Sequence, residues 1–468
     1  RYPDKDGKIL IPNYSFVRAH DSEVQGIIGK ILTDHTSAES GNKFTKDQLK
    51  QALDYYYADQ DKTVKEYSHY NMASAYAALL TNKNTIPRVY YGDMYKDNDS
   101  YMTSKTNEFD SIDALLKARI KYVSGSQEMG VDTKHQDVLT SVRSGNSRTE
   151  GIGVIISNNP NLNLGSDKIT LSMGVNHANQ MYRPLLLATD NGIDVYNTDS
   201  STIIRETTDG NGNLQFSSNY IKGYGINNSK VSGYLAVWVP VGADDKQDAR
   251  VATSQNKTTD GSVFHANDAL DTNVIYEGFS NFQQTPNLVD KDQRTNVIIA
   301  KEAKDGTFSN WGITSFQMPP QYRSSHDGTF VDSTIDNGYA FTDRYDLGFN
   351  NDDGTENPTK YGTVEDLRNA IKALHSKSIQ AMADWVPDQI YNLSGQQVTS
   401  VTRVNEKGET WPNADIENVL YVVDTVGGGK YQAEYGGKYL GELQQKYPDL
   451  FTKPQITTGV PMDANTRI

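Results

Sequence analysis

The chain has 468 residues, enough for about two to four domains, and no cysteine, which excludes disulfide frameworks, thiolate metal sites and cysteine nucleophiles. Its 45 Lys and Arg stand against 59 Asp and Glu, and the net charge of −14 disfavours nucleic acid or an anionic membrane as a partner. No apolar run reaches the roughly 18 residues of a membrane-spanning helix. Tyrosine is abundant, with 29 Tyr against 13 Phe and 4 Trp. That suits sugar rings, although half-buried surface positions account for it equally simply.

In chain order, residues 10–17 (LIPNYSFV) read as a buried strand, and residues 23–32 and 46–57 as helices. Residues 86–91 (IPRVYY) give a second strand. Residues 111–123 form an amphipathic helix with Ile112, Leu115, Leu116 and Ile120 on one face. Buried strands alternating with helices predict a parallel sheet. Between about residue 137 and residue 241 the texture changes to short β runs at 152–157, 168–173, 182–187 and 234–241. Turns such as Asn-Asn-Pro and Asp-Gly-Asn-Gly separate them, the spacing of an antiparallel sandwich. From residue 273 the alternation returns: a strand at 274–279, a helix at 297–311 weakened by Gly306, and a strand at 314–317. A helix at 363–377 with Thr363 as its N-cap and a strand at 380–386 follow. The tail after Asn392 is polar and less regular.

Chemistry in a parallel β/α fold sits at the C-terminal ends of strands. Two such places stand out, residues 16–21 (FVRAHD) and 383–389 (ADWVPDQ). A third stretch, 331–346, joins aromatics that can stack on a ring to carboxylates that can hold hydroxyls. On spacing alone, a helix-capping Asp21, an ion-paired Asp384 and a plain surface loop are at least as ordinary. The Gly427-Gly428-Gly429-Lys430 run lacks the spacing of a P-loop, the turn at 4–7 lacks the EF-hand ligand order, and no HExxH or GxSxG pattern occurs.

Together, residues 13–25 (NYSFVRAHDSEVQ), 79–95, 232–243, 336–348 (DNGYAFTDRYDLG) and 383–393 (ADWVPDQIYNL) resemble the glucansucrases of glycoside hydrolase family 70, sucrose-using relatives of the α-amylases. The resemblance covers essentially the whole chain. Residues 13–25 are similar to that family's fourth motif and 383–393 to its first, in the reversed order that marks the family's circular permutation. The resemblance implies an α/β fold: a circularly permuted (β/α)8 barrel with strands 7, 8, 1, 2 and 3 present, an inserted antiparallel β-sandwich and part of domain B. The implied boundaries are 1–130 for strands 7 and 8, 131–255 for the domain C sandwich, 256–392 for strands 1 to 3, and 393–468 for the domain B segment. Strands 4 to 6, which in the family carry the nucleophilic Asp and the acid/base Glu, are expected upstream of Arg1.

The implied activity is transfer of glucosyl units from sucrose to a growing α-glucan or oligosaccharide acceptor with release of fructose. It proceeds by a retaining double displacement between two carboxylates about 5 Å apart. A branching sucrase and a starch-using enzyme are alternatives within the family, and a non-catalytic α-glucan-binding fragment is one outside enzymology. By resemblance Asp21 stabilises the transition state and His20 binds hydroxyls of the glucosyl ring. Asp384 and Gln389 line the same subsite, Asp332 binds ring hydroxyls, and Tyr339 is a stacking platform. Ser22 and Glu23, followed by Val24, stand where the family contacts the acceptor, a triplet similar to that of enzymes making mainly α-1,6 links. Asp388 is expected to be one ligand of a structural Ca²⁺, a hard cation that takes oxygen donors. The resemblance further implies a secreted, extracellular protein whose N-terminal remainder completes the barrel, with no nucleic-acid or membrane partner. Ser394 and Pro319 stand where the family more often has Pro and Ala, which leaves acceptor preference open.

Overall fold

The computed structural model describes residues 2–3, 9–11, 13–21, 23–83, 85–225, 227–243, 273–325, 335–386, 396–400, 419–423 and 430–435. The chain divides into two compact units, one of residues 1–284, 295–318 and 368–383, the other of residues 285–294, 319–367 and 384–468.

The first unit holds a five-stranded sheet. Its strands Asn13–Phe16, Thr85–Tyr90, Ile275–Glu277, Ser315–Gln317 and Gln380–Met382 lie side by side in that order, and every neighbouring pair is parallel. Each falls within or beside a stretch expected to be a strand, and each is shorter than expected or displaced by a residue at its start. The central strands read as apolar runs because they are covered: Val89, Tyr90, Tyr276 and Phe316 are buried. The two edges differ. Tyr14 and Phe16 are 61% and 51% exposed on one, and Met382 is 37% exposed on the other.

Parallel neighbours need crossovers, and helices supply most of them. Helix Lys46–Gln60 starts at a capping box in which Thr45 Oγ1 accepts from the Gln48 amide at 3.2 Å and Gln48 Oε1 accepts from the Thr45 amide at 2.8 Å. It buries Leu49, Ala52, Leu53, Tyr56 and Tyr57, one face of a 3.6-residue period. Helices Glu23–His35, Phe109–Tyr122 and Val364–Ser376 also form where periodicity placed them. Thr363 caps the last, accepting from the Asp366 amide at 3.1 Å. Helix Met72–Thr81 is an addition. Met72, Ala73, Tyr76, Ala77, Leu79 and Leu80 are all buried, so it has no polar face to produce a periodic signal. The single helix expected at 297–311 is two, Thr295–Asp305 and Thr307–Asn310, parted at Gly306 with φ 89°. That left-handed conformation is cheap only for glycine.

Between the second and third parallel strands lies the antiparallel part. Strand Tyr234–Pro240 is buried along its length, between Ile152–Ser157 and Met181–Thr189 in a seven-stranded sheet. Asn213–Phe216 pairs with Ile169–Ser172 in a second sheet. The two sheets share a core: the rings of Phe216 and Trp238 lie 4.6 Å apart, and a Cβ at Gly153 would meet Leu171 Cδ1 at 2.6 Å.

Among its described residues the second unit is held largely by side-chain to backbone bonds. Strands Arg323–Ser324 and Phe341–Asp343 pair antiparallel. The buried Lys360 ammonium donates to the Ile335 carbonyl at 2.8 Å, and the Tyr361 hydroxyl to the Asn337 carbonyl at 2.7 Å. The polar tail contributes an antiparallel pair, Gln396–Ser400 with Val419–Val423. Among the described residues no helix is long and apolar enough to cross a membrane.

Candidate active site

The chain leaves strand Asn13–Phe16 and dives inward, with Arg18, Ala19 and His20 buried before Asp21 emerges. Arg18 anchors this descent. Its Nε donates to Asp93 Oδ1 at 2.7 Å and its Nη1 to the Tyr56 hydroxyl oxygen at 3.0 Å, while the Tyr76 hydroxyl donates to Asp93 Oδ2 at 2.6 Å.

His20 is then gripped on several sides. Its Nδ1 lies 2.5 Å from Oε1 of Glu277, the fully buried last residue of the central strand Ile275–Glu277. Its Nε2 lies 3.1 Å from Asp21 Oδ2. The His20 carbonyl accepts from Asn281 Nδ2 at 3.0 Å, and the ring packs on Phe279 with centroids 4.8 Å apart. Burial works against a charged imidazole, but the hydrogen bonds to Asp21 and Glu277 outweigh it and raise the His20 pKa to about 9. The same contact with His20, helped by Asn281 and Arg88, holds the Asp21 carboxyl below the ordinary carboxylate range. Asp21 is therefore an anion at neutral pH, and three-quarters of its side chain faces solvent.

Glycine at 278 lets the next strand close on this cluster: a Cβ there would stand 2.1 Å from Phe316 Cζ. Arg88, on the neighbouring strand, places its Nε 3.6 Å from Glu277 Oε2.

The other described candidates lie in the second unit. The Tyr339 hydroxyl donates to Asp384 Oδ2 at 2.7 Å, and the Tyr322 hydroxyl to the Asp384 carbonyl at 2.8 Å. Trp385, 59% exposed, meets the Tyr322 ring edge-on with centroids 6.2 Å apart. Asp384 and Tyr339 thus form one polar contact framed by aromatics, with the Tyr339 amide tied to Asn337 Oδ1 at 3.0 Å.

Ser22, Asp332, Asp388 and Gln389 lie outside the described residues, as does the side chain of Glu23. Among the described residues no group of three or more His, Cys, Asp or Glu is arranged to hold a metal ion, and Asp388, the expected calcium ligand, is not one of those residues. Sequence reasoning passed over Glu277, Arg88 and Asn281. Glu277 carried a usable signal, because it is a carboxylate at the end of an otherwise apolar strand, the rule that picked out Asp21 and Asp384.

The sequence profile of glycosyl hydrolase family 70 matches residues 1–468. Glucosyltransferase-I of Streptococcus mutans is 50% identical over 486 residues, spanning 100% of this chain and 32% of that protein. Glucosyltransferase-S of the same species is 48% identical over 484 residues, spanning 97% and 32%. A solved structure of alternansucrase in complex with isomaltotriose superposes with a TM-score of 0.79 at 49% identity, over 98% of this chain and 42% of that one. The chain spans about a third of the length of the curated relatives it matches. A profile match along the whole chain, with relatives near half identical, makes this chain a member of glycosyl hydrolase family 70.

Proposed function

We propose that the polypeptide carrying this chain is a sucrose-dependent glucosyltransferase that passes glucosyl units to a growing α-glucan and releases fructose. The observation that carries this reading is the Glu277–His20–Asp21 cluster at the C-terminal ends of parallel strands. An oxocarbenium-like transition state gains most from an anion fixed beside it before the reaction begins. Asp21 is such an anion, and His20 beside it offers an N–H to a sugar hydroxyl. The names of its relatives, glucosyltransferases, and a similar structure holding isomaltotriose support a glucan acceptor.

The fold on this reading is the circularly permuted barrel. The sheet order supports it: the first and last strands of the parallel sheet in chain order occupy its two edges, each with exposed apolar side chains. Strands 4 to 6, with the nucleophile and the acid/base, are proposed to come from the rest of the polypeptide and to pair with both edges. Segments 1–130 and 256–392 would then be barrel, 131–255 the sandwich, and 393–468 part of domain B. In the proposed subsite Asp332, Asp384, Gln389 and Tyr339 hold the glucosyl ring, and Ser22 and Glu23 meet the acceptor. Asp388 is proposed as one oxygen ligand of a structural Ca²⁺, and the protein as extracellular, like a supplier of polymer outside the cell.

The test is fructose release from sucrose by the complete polypeptide. Asp21→Asn should lose several orders of magnitude in kcat, because the charge facing the transition state is gone. No fructose release by the unaltered protein refutes the reading, and near-normal turnover by the variant removes Asp21 from the mechanism.

A further inference from the structure

Glu277 lies 257 positions from His20 in the chain, yet the two make the tightest polar contact at the candidate site. The Glu277 side chain is fully buried, and its Oε1 takes both the His20 ring at Nδ1, at 2.5 Å, and the His20 backbone amide, at 3.5 Å. One carboxylate oxygen thus fixes the ring and the backbone that carries it. The groups facing this pair come from three places in the chain: Asp21 from the same loop, Arg88 and Tyr90 from the neighbouring strand, and Asn281 from beyond the Glu277 strand. Arg88 is the one cation among them. It faces Oε2 across 3.6 Å, beyond hydrogen-bonding distance, so the negative charge of Glu277 is directed mainly at the imidazole.

We propose that Glu277 is the positioning residue of His20, holding the ring in one orientation through Nδ1 so that the opposite N–H is presented at Asp21 and at the substrate hydroxyl bound there. This inference deepens the proposed glucosyl transfer and rests on it for its catalytic consequence. Two roles follow from one contact. The first is geometric, since a ring bonded at Nδ1 to a buried anion cannot flip. The second is electrostatic, since the anion keeps both ring nitrogens protonated up to about pH 9. Sign fixes the direction: His20 stays an imidazolium donor below that value and loses the Nε2 or Nδ1 proton as pH rises through it. Without the charge of Glu277 the loss moves toward the ordinary histidine range.

The test compares Glu277→Gln, Glu277→Asp and the unaltered complete polypeptide. Gln can still accept at Nδ1, so the ring stays oriented while the charge is removed. Its alkaline limb in kcat/KM for fructose release should fall from about pH 9 toward the ordinary histidine range, by only part of the full shift because Asp21 remains, with most of the acid-side kcat retained. Asp keeps the charge but is one methylene short, so its limb should stay high while kcat falls. The His20 titration, followed by histidine-selective NMR with His20→Asn as the assignment control, gives the same answer without sucrose. A downward shift of that titration in Glu277→Gln supports the proposal whether or not sucrose is cleaved. An unmoved titration with an unmoved alkaline limb overturns it. If Gln does not accumulate as folded protein, Asp decides: a limb and titration that fall with the charge retained overturn the electrostatic role. Absence of fructose release from the unaltered protein refutes the activity and leaves the titration to judge Glu277.

Discussion

Arg18→Met tests whether the buried ion pair behind the candidate site holds that site in place. Arg18 and Asp93 are 5% and 1% exposed. Arg18 Nη2 lies 2.5 Å from Asp93 Oδ1, beside the Nε bond to the same oxygen. Burial opposes the guanidinium charge, but Asp93 and Tyr56 more than offset it and hold Arg18 protonated well above its ordinary range. Methionine keeps an apolar stem of similar length and removes every donor. Asp93 is then a buried carboxylate left with the Tyr76 hydroxyl. Breaking a buried pair from one side costs about 3–5 kcal/mol, and the remaining Tyr76 bond puts the expectation near about 3. The double variant Arg18→Met, Asp93→Asn no longer strands a charge and should recover about 1–2 kcal/mol of that loss. Urea unfolding of the complete polypeptide, with fructose release followed in parallel, reads both effects. Because His20 and Asp21 are the next polar residues along the chain, kcat should fall in the single variant even where the protein is fully folded. A cost below about 1 kcal/mol, or a double variant no more stable than the single one, refutes the reasoning.

Tyr339→Phe keeps the ring and removes the donor to Asp384 Oδ2, so kcat/KM for sucrose should fall by about tenfold to a hundredfold, with Tyr339→Ala lower still. Unchanged kinetics for Phe would leave the hydroxyl no part in the site. Asp59 accepts three backbone amides, from Glu66, Tyr67 and Ser68, and Lys62 stands 3.2 Å away. These outweigh burial and lower its pKa to about 2, so its contribution is present above the unfolded carboxyl value and lost as pH falls toward 2. Asp59→Asn should therefore destabilise by about 2 kcal/mol at pH 7, and the gap in unfolding free energy should close as pH is lowered; a gap independent of pH contradicts the assignment. On the proposed reading the 468-residue chain by itself should release no fructose, since the five parallel strands among its described residues do not close a barrel, and turnover by it would refute a nucleophile lying outside it.

Much of the local architecture was legible because it is written in short-range patterns. Helix Lys46–Gln60 follows from Thr45, Gln48 and one apolar face, and strand Tyr234–Pro240 from an unbroken apolar run. Asp21 and Asp384 were singled out because each follows a strand, and the family was legible because its motifs are long. Where the pattern is not local, sequence fell short. Met72–Thr81 is apolar all round and so has no period to read. Gly306 lies inside a plausible helical pattern, and only the observed φ shows that the helix stops there. The same boundary runs through the site. Sequence nominated candidate side chains, because residue type and position after a strand are local facts. Tertiary structure decided which of them touch: parallel pairing brings the end of strand Ile275–Glu277 to His20 across 257 positions, and a loop brings Tyr339 to Asp384 across 45. Hydrogen bonds and charge act over a few ångströms of space, and no local pattern in the sequence encodes that distance.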